Sequence, residues 1–238
     1  MTVDRAKQEV RERIWTSLEQ KRAVHPGANR NIPAFIGAEK AAEVLSELPT
    51  WKSARVLKTV PDTAQLPVRT RALEDGKMVY MAVPRLAAVK PFYALDPSKI
   101  EVPPFEAAPK SIAARIGRNV DADDMLPVDL VVIGSVAVNH KGVRIGKGAG
   151  YSDIELALLQ ESGLIGPDTP IVTTVHPLQV IDGELPEASH DFRVDLIVTP
   201  DGMIPCTDRR RPDGILWESL TPEKIAAIPA LAARKANL

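Results

Sequence analysis

Residues 128–159, VDLVVIGSVAVNHKGVRIGKGAGYSDIELALL, pass from a β-branched apolar strand through a glycine-rich turn into a helix. The opening run VDLVVI is continuous in apolar character rather than alternating, the pattern of a strand covered on both faces. A turn and a second strand, GSVAV (134–138), come before the glycines, and two further runs of the continuous kind follow, PIVTTV from Pro170 and VDLIVT from Val194. Such runs alternating with helices predict an α/β fold in three layers, a mostly parallel sheet with helices on both faces.

The rest of the chain supplies the covering elements. Over residues 4–22, Ala6, Val10, Ile14 and Leu18 recur at four-residue spacing, the apolar stripe of an amphipathic helix, and Lys7 and Arg11 share a second stripe beside it. A helix is predicted over residues 35–48 with Pro49 as its stop, then an extended segment, RVLKTV, over 55–60. Residues 66–75 read as a helix that Pro67 opens and Gly76 closes, ahead of the strand MVYMAV at 78–83. Prolines interrupt residues 84–126, where loops and short edge strands are expected. A last helix is predicted over 222–235, capped by Thr221. With no internal repeat and no long linker, residues 1–238 are expected to form one domain.

Composition narrows the function. Of the 238 residues, 45% are hydrophobic and 26% charged, and no apolar run approaches the roughly 20 residues needed to cross a bilayer. The amino terminus, MTVDRAKQEVRERIW, is charged throughout and does not read as a secretory signal, so a cytoplasmic location is expected. Thirty Lys and Arg against 31 Asp and Glu give a net charge of −1, which speaks against a nucleic-acid partner and requires any anion site to be local. The run Arg209, Arg210, Arg211 reads as a solvated surface loop, and Cys206, the single cysteine, as inert.

Gly146, Gly148 and Gly150 form G-x-G-x-G. This is neither the dinucleotide fingerprint nor the Walker pattern, because Gly148 stands where Ser or Thr should follow Lys147. Three alternating glycines serve a tight turn equally well. The position of this turn, at the start of a helix, brings free N–H groups and the positive end of the helix dipole together, as a phosphate requires. Arg144 and Lys147 supply cations, and Asp153 can cap the helix, hold a divalent metal, or both. Tyr151 either packs or stacks on a flat heterocycle. His25 and His140 read as surface residues and His176 as structural, while Asp191 follows His190 near the end of a parallel strand, where open α/β sheets bind ligands. Trp15, Trp51 and Trp217 read as core residues.

In these residues the chain resembles the 5-formyltetrahydrofolate cyclo-ligases, also called methenyltetrahydrofolate synthetases, and within them the branch of domain-containing proteins. The family loop F-D-x-x-G-x-R-x-G-x-G-x-G-Y-Y-D is matched at Gly142, Arg144, Gly146, Gly148, Gly150, Tyr151 and Asp153. Its amino-terminal Lys-x-x-apolar-Arg is met by Lys7, Val10 and Arg11, and a Gly-Lys turn, strand and Pro-Arg by Gly76, Lys77, Val79, Pro84 and Arg85. The pattern D-x-x-x-P-x-x-x-H-D-x-x-V-D-x-x-V-T appears at Asp182, Pro186, His190, Asp191, Val194, Asp195, Val198 and Thr199.

The resemblance implies a fold of the NagB/RpiA/CoA-transferase-like group and a reaction in which ATP and Mg²⁺ close 5-formyl- or 10-formyltetrahydrofolate to 5,10-methenyltetrahydrofolate. A formyl oxygen is a poor leaving group, so ATP phosphorylates it and the neighbouring nitrogen displaces phosphate, a transfer driven by positioning and charge neutralisation. It further implies that Lys7, Arg11 and the loop 146–150, including Lys147 and Ala149, bind the nucleotide. Arg144 and Tyr151 would act at the reacting groups, Tyr151 also lining the folate side, and Asp153 and Asp191 would hold the metal. Asn139 stands for the family's Asp, Ser152 for its second Tyr, Ile154 for a common Arg, and Pro67 where a folate-contacting Glu is expected. These departures define the alternatives: a non-catalytic nucleotide-binding paralogue, or a ligase for a different small acceptor. Lys7→Ala is expected to weaken ATP binding more than it weakens the fold.

Overall fold

The structure is a computed structural model that describes residues 2–25 and 30–237. Its strands are β1 (Val56–Thr59), β2 (Met78–Ala82), β3 (Phe92–Leu95), β4 (Arg118–Val120), β5 (Leu130–Ile133) and β6 (Ala137–Asn139), then β7 (Arg144–Ile145), β8 (Ile171–Thr174), β9 (Val180–Ile181), β10 (Leu196–Thr199) and β11 (Gly202–Pro205). The helices are α1 (Val3–Gln20), α2 (Ala38–Glu47), α3 (Pro49–Ser53), α4 (Leu66–Glu74), α5 (Pro104–Ala107), α6 (Lys110–Ile116), α7 (Tyr151–Glu161), α8 (Pro222–Ala226) and α9 (Pro229–Ala236).

Eight strands form the main sheet in the order β11-β10-β8-β5-β1-β2-β3-β4. The stretch from β10 to β2 is parallel, and antiparallel pairs close both edges, β10 with β11 and β2 with β3 and β4. Period-two alternation sorts each strand's side chains to opposite faces. Leu57, Val79, Met81, Leu130, Val132, Val172 and Val198 pack under α2, α3, α4, α5 and α6. Their neighbours Val56, Tyr80, Ala82, Val131, Ile133, Ile171 and Ile197 pack under α7 and α9. This is the three-layer arrangement predicted from the continuous apolar runs.

Several expected elements are corrected. The run GSVAV does not join the main sheet. Its residues 137–139 pair with β7 and β9 in a separate three-stranded sheet, covered by Ile14, Trp15 and Leu18 of α1. Pro49 ends α2 but also opens α3, since proline suits a first helical turn. The helix expected from residue 35 starts at Ala38, and Phe35 instead bridges Val24. Residues 84–126 hold β3 and the edge strand β4 but also α5 and α6, each opened by a proline at its cap or first turn. Pro229 splits the tail helix into α8 and α9, while Thr221 does cap α8, its Oγ1 accepting from the N–H of Lys224 at 3.2 Å. Among the described residues, no helix is long and apolar enough to cross a membrane.

Candidate active site

The small sheet exists to aim one loop. Asn139 at the end of β6 is 1% exposed, and its Oδ1 accepts from the N–H groups of Lys141 and Val143 at 3.1 and 3.0 Å. That closes a tight hairpin into β7, so the departure from Asp at this position is absorbed by turn geometry. Gly142 lies in the hairpin at φ +80°, its carbonyl accepting from Val194 N–H at 2.9 Å. From β7 the chain enters residues 146–150 and then α7. Gly148 and Gly150 have φ of +103° and +70°, and Gly150 is the N-cap of α7, with no side chain satisfying the first turn. Among the described residues, the N–H groups of residues 146–150 donate to no protein acceptor, so the loop and helix start together present a row of open donors.

Four cations gather at this loop from α1, β7 and the loop itself. Lys7 and Arg11, one turn apart on α1, are buried at 7% and 8% exposure, and Arg144 at 4%. Lys7 Nζ donates to Asp191 Oδ2 at 2.5 Å, and Arg144 Nη2 to Asp153 Oδ1. Main-chain donors fix both carboxylates: Phe192 N–H donates to Asp153 at 3.0 Å and Ala188 N–H to Asp191 at 2.7 Å. Asp153 is therefore not the helix cap that its sequence position offered. It sits in the first turn of α7 and is spent on Arg144.

Arg11 differs from the others. Its Nε donates to Gly146 O at 2.7 Å and its Nη1 to Gln8 Oε1 at 3.1 Å, and among the described residues it has no ion pair. Burial pulls its pKa down, opposed only by the more distant charges of Asp4 and Asp191. A side chain at Gly148 would meet the guanidinium at 3.3 Å, so the loop lies flat against it. The fourth cation, Lys147, points outward to Asp62 at 2.7 Å.

Lys7 has a structural partner as well. Removing it would leave the buried Asp191 carboxylate without its cation, a loss of about 3–5 kcal/mol by the usual cost of breaking a buried pair. Lys7→Ala therefore damages the fold as well as any anion site.

Three cavities meet at the loop. A polar one of about 130 Å³ lies between α1, the loop and Asp191. An apolar one of about 250 Å³ lies on the other side of Gly148, Ala149 and Gly150, walled by Ile215, Leu216 and Leu220. The third, about 360 Å³, opens beside Tyr151 and Ser152 toward Pro84 and Arg85. Lys224 of α8 lines the apolar cavity, donating to Ala149 O at 2.8 Å with Nζ 3.5 Å over the ring of Tyr151, which lines the third, a cation–π contact.

The structure separates other sequence readings. Pro67 lies away from the loop, in a hollow between α2 and α4, and the carboxylate that reaches the loop from this part of the chain is Asp62. Of the triple arginine only Arg209 is exposed as a solvated loop would have it. Arg211 donates to Gly166 O, Thr169 O and Asp195, and Arg210 to Ala188 O and Glu187, bracing the segment that carries Asp191. His176 caps a short turn, its Nδ1 accepting from Leu178 N–H at 3.1 Å, and burial lowers its pKa. Burial, then the charge of Asp195, pushes the Cys206 thiol up to about 12, in keeping with an inert side chain. Sequence reading missed Asp62, Lys224 and the pair Lys58–Glu155. Only that pair left a signal, a lone charge in each of the apolar runs VLKTV (56–60) and IELALL (154–159).

Comparison with known proteins gives the family and the fold. Residues 3–200 match the model of the 5-formyltetrahydrofolate cyclo-ligase family. The methenyltetrahydrofolate synthase domain-containing protein of Bos taurus is 39% identical over 245 residues, covering 95% of this chain and 61% of its own length. The protein of the same name from Mus musculus is 40% identical over 246 residues, covering 95% and 62%. The chain thus spans about three fifths of these relatives. The solved 5,10-methenyltetrahydrofolate synthetase of Aquifex aeolicus shares the fold, with a TM-score of 0.55 at 21% identity over 89% of this chain and 98% of that one.

Proposed function

The chain belongs to the 5-formyltetrahydrofolate cyclo-ligase family, and we propose that it closes formyltetrahydrofolate to 5,10-methenyltetrahydrofolate at the expense of ATP, with Mg²⁺ bound. The observation that carries this reading is the meeting of Lys7, Arg11 and Arg144 with the open N–H groups of residues 146–150 around one polar cavity. Buried guanidinium and ammonium groups beside free amides favour a polyphosphate over any neutral ligand. The apolar cavity across the loop suits the flat base of the nucleotide, and the third cavity suits the acceptor.

The donors also suit magnesium. Among the described residues no cluster of three or more His, Cys, Asp or Glu exists to cage a metal, but Asp153 and Asp191 stand next to each other through the Phe192 N–H. Two carboxylates with phosphate oxygens and water completing the shell is the usual arrangement for this ion. Asp153 and Asp191 would hold it, and the ion would neutralise charge on the phosphates. Lys7 and Arg144, now paired with those carboxylates, would turn to the phosphates as the carboxylates turn to the metal.

In the reaction the formyl oxygen on N5 attacks the γ-phosphorus and the bond to ADP breaks. N10 then attacks the formyl carbon, loses its proton, and phosphate departs to leave the methenyl bridge. Arg11, Lys7 and Arg144 hold the charge of the transferring group, and Tyr151, pinned by Lys224, separates the nucleotide from the acceptor. Both steps rest on positioning and charge rather than on a protein nucleophile.

Incubation with Mg·ATP and either 5-formyl- or 10-formyltetrahydrofolate should produce methenyl absorbance. ATP binding without turnover on both would reject the cyclo-ligase reading in favour of a nucleotide-binding paralogue or a ligase for another acceptor.

A further inference from the structure

The third cavity contains chemistry that the nucleotide does not use. Along α7, Tyr151, Ser152 and Glu155 share the face that lines it, one helical turn apart. Glu155 is 5% exposed, and its Oε2 accepts from Nζ of Lys58, which is 0% exposed on β1. The sheet period places Lys58 there, on the same face as Val56 and Val60 and opposite to Leu57. Among the described residues no donor reaches Glu155 Oε1, and that oxygen is not among the sealed polar atoms, so it opens to the cavity the residue lines.

Stability does not explain the pair. Desolvating two charges offsets their attraction, and an apolar pair of the same size is commonly as stable or more so. With Lys58 as counter-charge, the carboxylate offers acceptors only, at the inner end of the cavity. At the outer end Arg85 and Lys110 are exposed, and among the described residues neither is in an ion pair. Arg85 is held at φ +59°, a left-handed conformation unfavourable for a residue with a side chain. The cavity therefore runs from an acceptor inside to cations at the mouth.

We propose that Glu155, positioned by Lys58, anchors the pterin ring of the acceptor through its amino group and adjacent ring N–H, and that Arg85 and Lys110 receive the carboxylates of its tail. This rests on the cyclo-ligase reading and adds a specificity-determining residue, at a helix position distinct from that of Pro67. Two neighbouring N–H donors on a flat ring meet a carboxylate in the paired geometry that gives charge-assisted bonds their selectivity.

The test is calorimetric binding of 5-formyltetrahydrofolate and, separately, Mg·ATP to the full chain, for the wild type and the double variant Lys58→Met/Glu155→Leu. The expected result is folate affinity at least tenfold weaker, ATP affinity unchanged and Tm preserved, since no buried charge is stranded. Lys58→Met/Glu155→Gln, which keeps the shape at 155 and likewise strands no buried charge, should show the same split should the first double variant fail to fold. Unchanged folate affinity in either folded variant overturns the proposal alone. A wild-type chain that binds no formyl-folate overturns it together with the cyclo-ligase reading.

Discussion

Gly142→Ala should lower the free energy of unfolding by about 2–5 kcal/mol, the sum of a left-handed backbone conformation imposed on a side chain and of overpacking. The residue has φ +80°, and a methyl group there would lie 2.2 Å from Val194 O, against backbone that cannot swing aside. The damage reaches function because the hydrogen bond from Val194 N–H to Gly142 O ties the β6–β7 hairpin to the segment carrying Asp191, while the hairpin carries Arg144. Urea unfolding monitored by circular dichroism checks it. A midpoint that hardly moves would mean that the hairpin and the Asp191 segment are not locked together as described.

Arg11→Met is expected to separate binding from stability. The guanidinium is buried with no carboxylate partner among the described residues, so removing it strands no opposite charge. Methionine can keep the packing of the aliphatic stem. Two hydrogen bonds are lost, to Gly146 O and Gln8, but the desolvation of an unpaired buried guanidinium is relieved, so the stability change should stay within about 1–2 kcal/mol. Loss of charge-assisted contacts to phosphate, about 1.5–3 kcal/mol, should weaken Mg·ATP binding by roughly 10- to 150-fold. Lys7→Ala cannot make this separation, because Asp191 depends on it. Titration calorimetry beside a thermal melt reads both quantities. A large fall in Tm with unaltered affinity would make Arg11 a structural brace of Gly146 instead.

The legible parts of this chain are those whose signal is local. Continuous β-branched runs at 130–133, 171–174 and 196–199 could only be strands covered on both faces, and they are the parallel centre of the sheet. The second sheet had no period to find, because β7 and β9 are two residues each. Lys7 and Arg11 could be placed on one stripe of α1 and the glycines at the start of α7, and the fold brings the two together. What closes the site could not be seen, since Lys147 meets Asp62 across 85 residues and Lys224 meets Ala149 across 75. Position in a motif did not reveal where Pro67 lies, because its place at the start of α4 turns it to a hollow shared with α2 rather than to the loop. The arginine run misled for a different reason: charge in a loop predicts solvent only when no buried carboxylate such as Asp195, 8% exposed, is waiting for it.

The central claim is that α1 and the glycine loop together hold a triphosphate. A crystal structure with a non-hydrolysable ATP analogue and Mg²⁺ addresses it directly. Terminal phosphate oxygens should lie about 2.7–3.2 Å from Arg11, Lys7 and the N–H groups of residues 146–150. An analogue bound elsewhere, or seated on the loop with both α1 cations still turned to Gly146 and Asp191, would contradict the account.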